Sequence, residues 1–351
     1  MHNLLIQLQA KILAEHGQAD KAAHVQRFGM DPSAVHVNRP LTDLAVGYRP
    51  EGFIADAVMP VIPVTKKSDV FFRFAPENHL SLANVSIAGV RARPNEIATA
   101  NPTTSTYLCE GYGLLDFVSF ETLANADTPL EPKMESVETL VDYLMLAREQ
   151  RVAAIVMAAA NYGANTADVT DGFRLDDTGD VVGWLRTAIR TPLVRPNTMV
   201  MGEYEWDLLA NHTSIKNMIY ARSMADGRPT PLQATQELVA SALGLDQILV
   251  GRTKYNTAAE GATATFDYFW GGAKIAFIRV EKQPRLRRTQ TFGYTFRWKV
   301  GGQGDPMVVQ EIPEALGGTF GGLWMKAVHC DDECLIAGAN AGYLATKVYG
   351  S

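Results

Sequence analysis

Apolar side chains recur at Val137, Leu140, Val141, Leu144, Val152, Ile155, Val156 and Ala159, within the stretch Glu131–Asn161. That spacing is one buried face of a helix. Pro129 and Pro132 sit where a first turn tolerates proline, Thr128 is placed to cap it, and Gly163 is placed to end it. Glu131, Glu135, Glu138 and Asp142 come early, and Arg148 and Arg151 late, as the helix dipole prefers. About 30 residues at 1.5 Å each make a rod of roughly 45 Å, long against a usual helix of about 11–12 residues. On pattern alone this is a long core helix of an α+β protein.

The flanking stretches are less self-sufficient. Residues 2–16 carry Leu4, Leu5, Leu8, Ile12 and Leu13 at helical spacing, a short amphipathic helix that docks on its own fold or on a partner. Residues 17–52 are polar, with Pro32, Pro40 and Pro50, and read as an extended arm. Phe53–Val64 is apolar but holds Pro60 and Pro63, so it reads as a strand at a sheet edge. Strand patterns at Asp69–Phe74, Thr103–Cys109 and Leu114–Phe120 bracket residues 75–102, which have little to bury. This outlines a long two-stranded excursion, and such a ribbon needs a neighbour to lie on. Beyond the helix, strand and helix signals alternate: helix Val181–Arg190 behind an Asp-rich turn, strand Asn197–Met201, helices Glu203–Ala210, Ser214–Ala221 and Pro231–Leu243, and strand Gln247–Val250. From Thr263 the pattern is mostly β, with candidate strands at Thr265–Trp270, Lys274–Val280, Thr289–Trp298, Met307–Ile312, Leu323–His329, Glu333–Ile336 and Tyr343–Val348.

Composition narrows the class. The chain has 351 residues, 47% hydrophobic and 20% charged, enough for a sizeable core in two or three domains. A net charge of −6 disfavours a dedicated nucleic-acid binder. Three cysteines, Cys109, Cys330 and Cys334, argue against a disulfide framework. Nothing approaches a membrane-spanning apolar run, and the N-terminus lacks the pattern of a secretion signal.

Catalytic patterns are scarce. Phosphate loops, nucleophile elbows and HExxH helices are all missing. The densest ligand-type cluster is His329-Cys330-Asp331-Asp332-Glu333-Cys334. Its cysteine gap differs from the paired spacing of zinc sites, so the acidic triplet reads as a polar turn between two strands. Asp176, Asp177 and Asp180 do not match a calcium loop; they read as a turn and a helix cap. Lys282, Arg285, Arg287 and Arg288 form a basic run whose default is a solvated or intersubunit salt-bridging face. Binding or assembly therefore leads, and no catalytic residue, metal or cofactor is expected.

The order of these elements resembles the major capsid proteins of tailed double-stranded DNA bacteriophages, which share the Hong Kong 97-type fold. The resemblance rests on an arm running up to GYRPEGFIADAVMPVIPV, the β excursion at 69–120, ETLANADTP before the long helix, and NTMVMGEYEWDLLANHTSI after it. ALGLDQILVGRTKYN, FDYFWGGAKIAFI and RRTQTFGYTFRW then follow in order. It implies an α+β fold with a long spine helix, an extended β-hairpin loop, an N-terminal arm, and peripheral and axial domains. The implied division is arm 1–58, strands and extended loop 59–120, peripheral domain with spine helix 121–165, axial domain 166–262 and β-rich return 263–351. It further implies a virion shell of hexamers and pentamers around packaged double-stranded DNA, assembled in the host cytoplasm, with portal and decoration proteins as companions. The roughly 50 residues before the first strand are short for a fused scaffolding segment, so a separate scaffolding protein is expected. Candidate intersubunit contacts are Leu5, Leu8 and Ile12 on the arm, Phe71, Arg91, Arg93 and Glu96 on the excursion, and Arg285, Arg287 and Arg288 in the basic run. Some members cross-link through a loop lysine; residues 68–132 contain none, so that bond is not expected here. The alternatives are a cellular nanocompartment shell of the same fold, another virion component such as a tail-tube protein, and an enzyme built on the His329–Cys334 segment.

Overall fold

The computed structural model describes residues 36–37, 52–73, 93, 103–126, 131–225, 234–259, 261–283, 290–299, 308–314 and 321–350. The first described elements are β1 (His36–Val37), α1 (Ala55–Val58), β2 (Val61–Val64), β3 (Ser68–Arg73), β4 (Thr103–Leu108), β5 (Glu110–Ser119), α2 (Phe120–Asn125) and α3 (Pro132–Val156). A 3-10 turn, Ala159–Tyr162, leads to β6 (Thr166–Asp168), α4 (Val181–Arg190), β7 (Thr198–Gly202), α5 (Glu203–Asn211), α6 (Thr213–Ala225), α7 (Gln236–Leu243) and β8 (Gln247–Gly251). The remainder is β9 (Lys254–Asn256), β10 (Phe266–Tyr268), β11 (Lys274–Ile278), β12 (Gly293–Trp298), β13 (Val308–Glu314), β14 (Gly322–Leu335) and β15 (Gly342–Thr346).

Two compact units divide the chain, and the division falls inside α3, after Leu144, and inside β14, after Cys330. In the first unit β13 pairs antiparallel with β1 and, from Val308↔Val328 to Glu314↔Gly322, with β14. β5 lies along β14, and the Phe117 and Trp324 rings meet at 4.9 Å. On the first half of α3, Val137, Leu140, Val141 and Leu144 are buried as their spacing requires.

The second unit is built on a mixed sheet in the order β6-β15-β11-β7-β8. β7 and β8 run parallel, which obliges a long crossover between them; α5, α6 and α7 supply it. Alternation along each strand divides the core in two. Met199, Met201, Ile275 and Phe277 face one way, against Leu185 of α4, Leu209 of α5, Ile215 of α6 and Val239 of α7. Val200, Ala276, Ile278 and Leu344 face the other way, against Val152, Ala153 and Val156 of α3 and Val58 and Met59. A sheet buried on both faces reads as a continuous apolar run, as NTMVM and KIAFI do. The Val181–Arg190 helix appears where expected, with Asp180 Oδ1 accepting from the Val182 amide at 3.0 Å. Gly244 ends α7 in the left-handed region, at φ 71°, donating back to the Ala240 and Ser241 carbonyls.

Three expectations need correction. The helix expected over 131–161 stops at Val156, because side chains take over its last carbonyls. Asn161 Nδ2 donates to Ile155 O at 2.7 Å, the Tyr162 hydroxyl to Val156 O at 2.8 Å, and Lys274 Nζ to Met157 O at 3.0 Å. Phe53–Val64 is not one strand: Ala55–Val58 forms a helical turn, and only Val61–Val64 is extended. β2 does lie at the end of its strand order, where Pro63 is tolerated. Finally, the acidic triplet is no turn. β14 continues unbroken through Asp331, Asp332 and Glu333, because the buried Arg297 and the half-buried Arg151 receive two of those carboxylates.

Candidate functional site

The apolar stripe of α3 is interrupted where it should be most apolar. Arg148 falls four residues after Leu144 and four before Val152, yet it is only 2% exposed, and Glu149 only 1%. Arg148 forms an ion pair with Asp56 of α1, lies 3.7 Å from Asp331 of β14, and donates to Thr295 Oγ1 of β12 at 3.4 Å. Asp331 is held by a two-pronged Arg297 guanidinium, with both contacts at 2.6 Å. One turn further along α3, Arg151 pairs with Glu333 at 3.0 Å. Three guanidiniums thus meet three carboxylates. Burial works against the charge on Arg297, but Asp331 outweighs it and the net shift is upward. Arg148 and Arg151 therefore do not serve the helix dipole, as their late position suggested; they bind α3 to β12, β14 and α1.

Glu149 makes the adjoining clamp. Its carboxylate accepts from the Ile54 and Ala55 amides, at 2.9 and 3.0 Å, and from Trp270 Nε1 at 2.6 Å. The two amides are the unsatisfied donors at the start of α1, which is why those residues turn into a helix there. Burial raises the Glu149 pKa, and the three hydrogen bonds and Arg148 only partly offset it. Trp270 fills space left by glycine: a Cβ on Gly251 would collide with its ring, and one on Gly202 with its carbonyl oxygen.

Strand alternation sorts the remaining residues of the cluster. Asp331 and Glu333 reach α3, whereas Asp332 accepts the Leu108 amide at 2.8 Å, with the Cys334 thiol donating to it at 3.2 Å. Burial, then Asp332, pushes the Cys334 thiol well above its usual pKa, so it is a poor nucleophile. Cys109 is buried and donates to the Phe296 carbonyl at 3.4 Å. In the Asp-rich loop, Asp177 accepts from the Gly172 and Arg174 amides, and Asp176 from the Gly350 amide, so these carboxylates serve the backbone. Among the described residues no group of three or more such side chains is placed to hold a metal ion.

The paired strands of the excursion, β3 and β4, run in register from Ser68↔Leu108 to Arg73↔Thr103. Phe71 and Tyr107 face inward, with ring centroids 5.3 and 4.7 Å from Phe296. Val70, Phe72 and Leu108 face outward, all more than half exposed. Phe71 therefore packs within its own unit, and Phe72 is the aromatic on the outward face. Arg93 is exposed. Leu5, Leu8, Ile12, Arg91, Glu96, Arg285, Arg287 and Arg288 lie outside the described residues. What sequence reasoning missed is the ion cluster; a charge standing at 148 inside an apolar i, i+4 series was the available signal.

No protein-family model matches the chain. In fold it is similar to a phage-related protein from Bordetella bronchiseptica RB50, with a TM-score of 0.66 at 20% identity over 89% of this chain and 97% of that one. It is also similar in fold to the capsid protein of Cyanophage P-SCSP1u, with a TM-score of 0.54 at 12% identity over 86% and 89%. In sequence it is 28% identical to the major capsid protein of Pseudomonas phage JBD67, over 75% of this chain and 83% of that protein. It is 26% identical to the major capsid protein of Burkholderia phage BcepMu, over 90% and 97%. In sequence the chain is thus similar to phage major capsid proteins, and its fold is similar to that of a phage capsid protein. The α+β, Hong Kong 97-type fold expected from element order is the fold found. The ion cluster joins α3 to α1, β12 and β14.

Proposed function

We propose that this chain is the shell subunit of a phage head, assembling into hexamers and pentamers that close an icosahedral capsid around double-stranded DNA. The observation that carries the reading is similarity to phage major capsid proteins along nearly the whole chain, joined to a capsid-type fold. The physical design agrees with it. A β-ribbon whose outward face is apolar gains burial only when something covers it, and repeated subunits cover one another under closed symmetry. Interfaces of that kind bury more than about 2,000 Å². The subunit's mild acidity suits a wall that encloses DNA without gripping it. Among the described residues no helix is long and apolar enough to cross a membrane.

The role is structural, with the virion as its place and no catalytic step assigned. We divide the chain into arm 1–58, extended-loop strands 59–120, peripheral domain 121–165, axial domain 166–262 and return 263–351. Leu5, Leu8, Ile12, Arg91, Arg93, Glu96, Arg285, Arg287 and Arg288 are the residues we place at subunit contacts, and Phe72 joins them. A scaffolding protein, a portal and decoration proteins complete the assembly. Expression of the chain by itself, followed by negative-stain electron microscopy, tests the reading. Closed shells or six-fold rings are expected. A monomer at all concentrations, with or without added scaffolding protein, overturns it.

A further inference from the structure

In the first unit, β5, α2 and the first turns of α3 enclose a cleft of about 260 Å³, lined by Asp116, Phe117, Thr122, Glu135, Ser136 and Thr139 among others. Ser136 is 5% exposed, and its hydroxyl meets no hydrogen-bond partner among the described residues. A buried polar atom left so is costly, and it needs an occupant or an explanation. Asp116 and Glu135 stand beside it, and neither has a cationic partner among the described residues. Glu121, Glu131 and Glu138 likewise have none. The unit's described cations are Lys133, Lys299 and Lys326, and Lys133 is already bound to Glu311 at 3.3 Å. The Thr139 hydroxyl spends its proton on the Glu135 carbonyl, at 2.8 Å, so it offers only lone pairs to the cleft.

The cleft therefore presents acceptors: two carboxylates and hydroxyl oxygens around an unsatisfied floor. A guanidinium is the complementary group, planar, permanently charged, with five N–H donors and no acceptor. We propose that this cleft receives an arginine side chain of a second copy of the chain. The proposal rests on the capsid reading, which sets copies side by side. Acidic walls repeated in every subunit repel across a contact unless a cation lies between them. The chain has exposed arginine to offer: Arg93 has no anionic partner among the described residues.

The test uses the purified full chain without other virion proteins. Dissociation of its oligomers is followed by light scattering against NaCl and dilution, beside the thermal midpoint of the subunit. Asp116→Asn with Glu135→Gln should keep the midpoint and weaken assembly about tenfold per contact, with a shallower salt dependence. Glu135→Lys should abolish assembly, since its own ammonium would occupy the cleft. Ser136→Ala should weaken assembly while leaving the thermal midpoint equal or higher, because it deletes an unsatisfied hydroxyl; a merely structural serine would lower both or neither. Variants that assemble like the wild type at every salt concentration overturn the cleft and leave the capsid reading intact. An effect seen only with another virion protein present overturns the second copy as occupant. A wild-type chain that never oligomerises defeats the capsid reading, and this one with it.

Discussion

Replacing Asp331 by asparagine keeps the shape of the side chain and removes its charge. In the native unit that carboxylate is wholly buried, grips Arg297 through two 2.6 Å contacts and lies 3.7 Å from Arg148. Without it, Arg297 at 7% side-chain exposure has lost the carboxylate that grips it, and Arg148 at 2% keeps the half-exposed Asp56 as its ion pair, with the Thr295 hydroxyl beside it. Removing one member of a buried pair costs about 3–5 kcal/mol, because the surviving charge stays desolvated. Against a total stability of about 5–15 kcal/mol this is a large fraction. At a urea slope of about 1–3 kcal/mol per molar, the unfolding midpoint should fall by roughly 1–5 M. Trp270, buried beside the cluster, is a natural fluorescence probe. Asp332→Asn is the internal control: Asp332 is half-buried and accepts from Leu108 and Cys334, which an amide oxygen can still do, so the loss should stay below about 1 kcal/mol. The double replacement Asp331→Leu with Arg297→Met should recover stability relative to Asp331→Asn, since apolar groups need no partner. If Asp331→Asn is no worse than Asp332→Asn, the cluster does not hold the fold in the manner argued.

Glu149 yields a prediction with a definite sign. Its folded pKa is raised, so the folded state binds a proton more readily than the unfolded chain. This group's contribution to stability is therefore lost as pH rises through the raised value and regained as pH falls toward the ordinary carboxylate range. As pH falls through that range, the urea midpoint of the wild type should rise relative to that of Glu149→Gln, which carries no titrating group there; a wild-type midpoint that falls relative to the variant contradicts the assignment. Tyr162→Phe removes the donor to the last turn of α3, leaves the Val156 carbonyl unpaired, and should cost about 1–3 kcal/mol in thermal unfolding. Gly251→Ala drives a methyl into the Trp270 ring and should cost about 3 kcal/mol or more, visible as insoluble expression or an altered tryptophan spectrum. Asp180→Ala should cost only about 1 kcal/mol, the usual loss of a helix cap.

Much of this molecule was determined by local pattern. The apolar stripe of α3, the runs NTMVM and KIAFI, the cap at Asp180 and the stop at Gly244 each depend on residues a few positions apart, and each element formed where those residues placed it. The order of elements was enough to identify the capsid fold. What tertiary structure alone decided is where charge goes. Nothing within His329–Cys334 reveals that Arg297 is its strand neighbour, or that Arg148 and Arg151 descend from a helix 180 residues earlier in the chain. Deprived of those partners, three consecutive acids are best solvated in a turn; supplied with them, the strand runs on. Likewise Ala55–Val58 is helical only because the Glu149 carboxylate waits at its N-terminus. A buried charge is stable only beside its counter-charge, and that proximity is a property of the folded chain, absent from any short window of sequence.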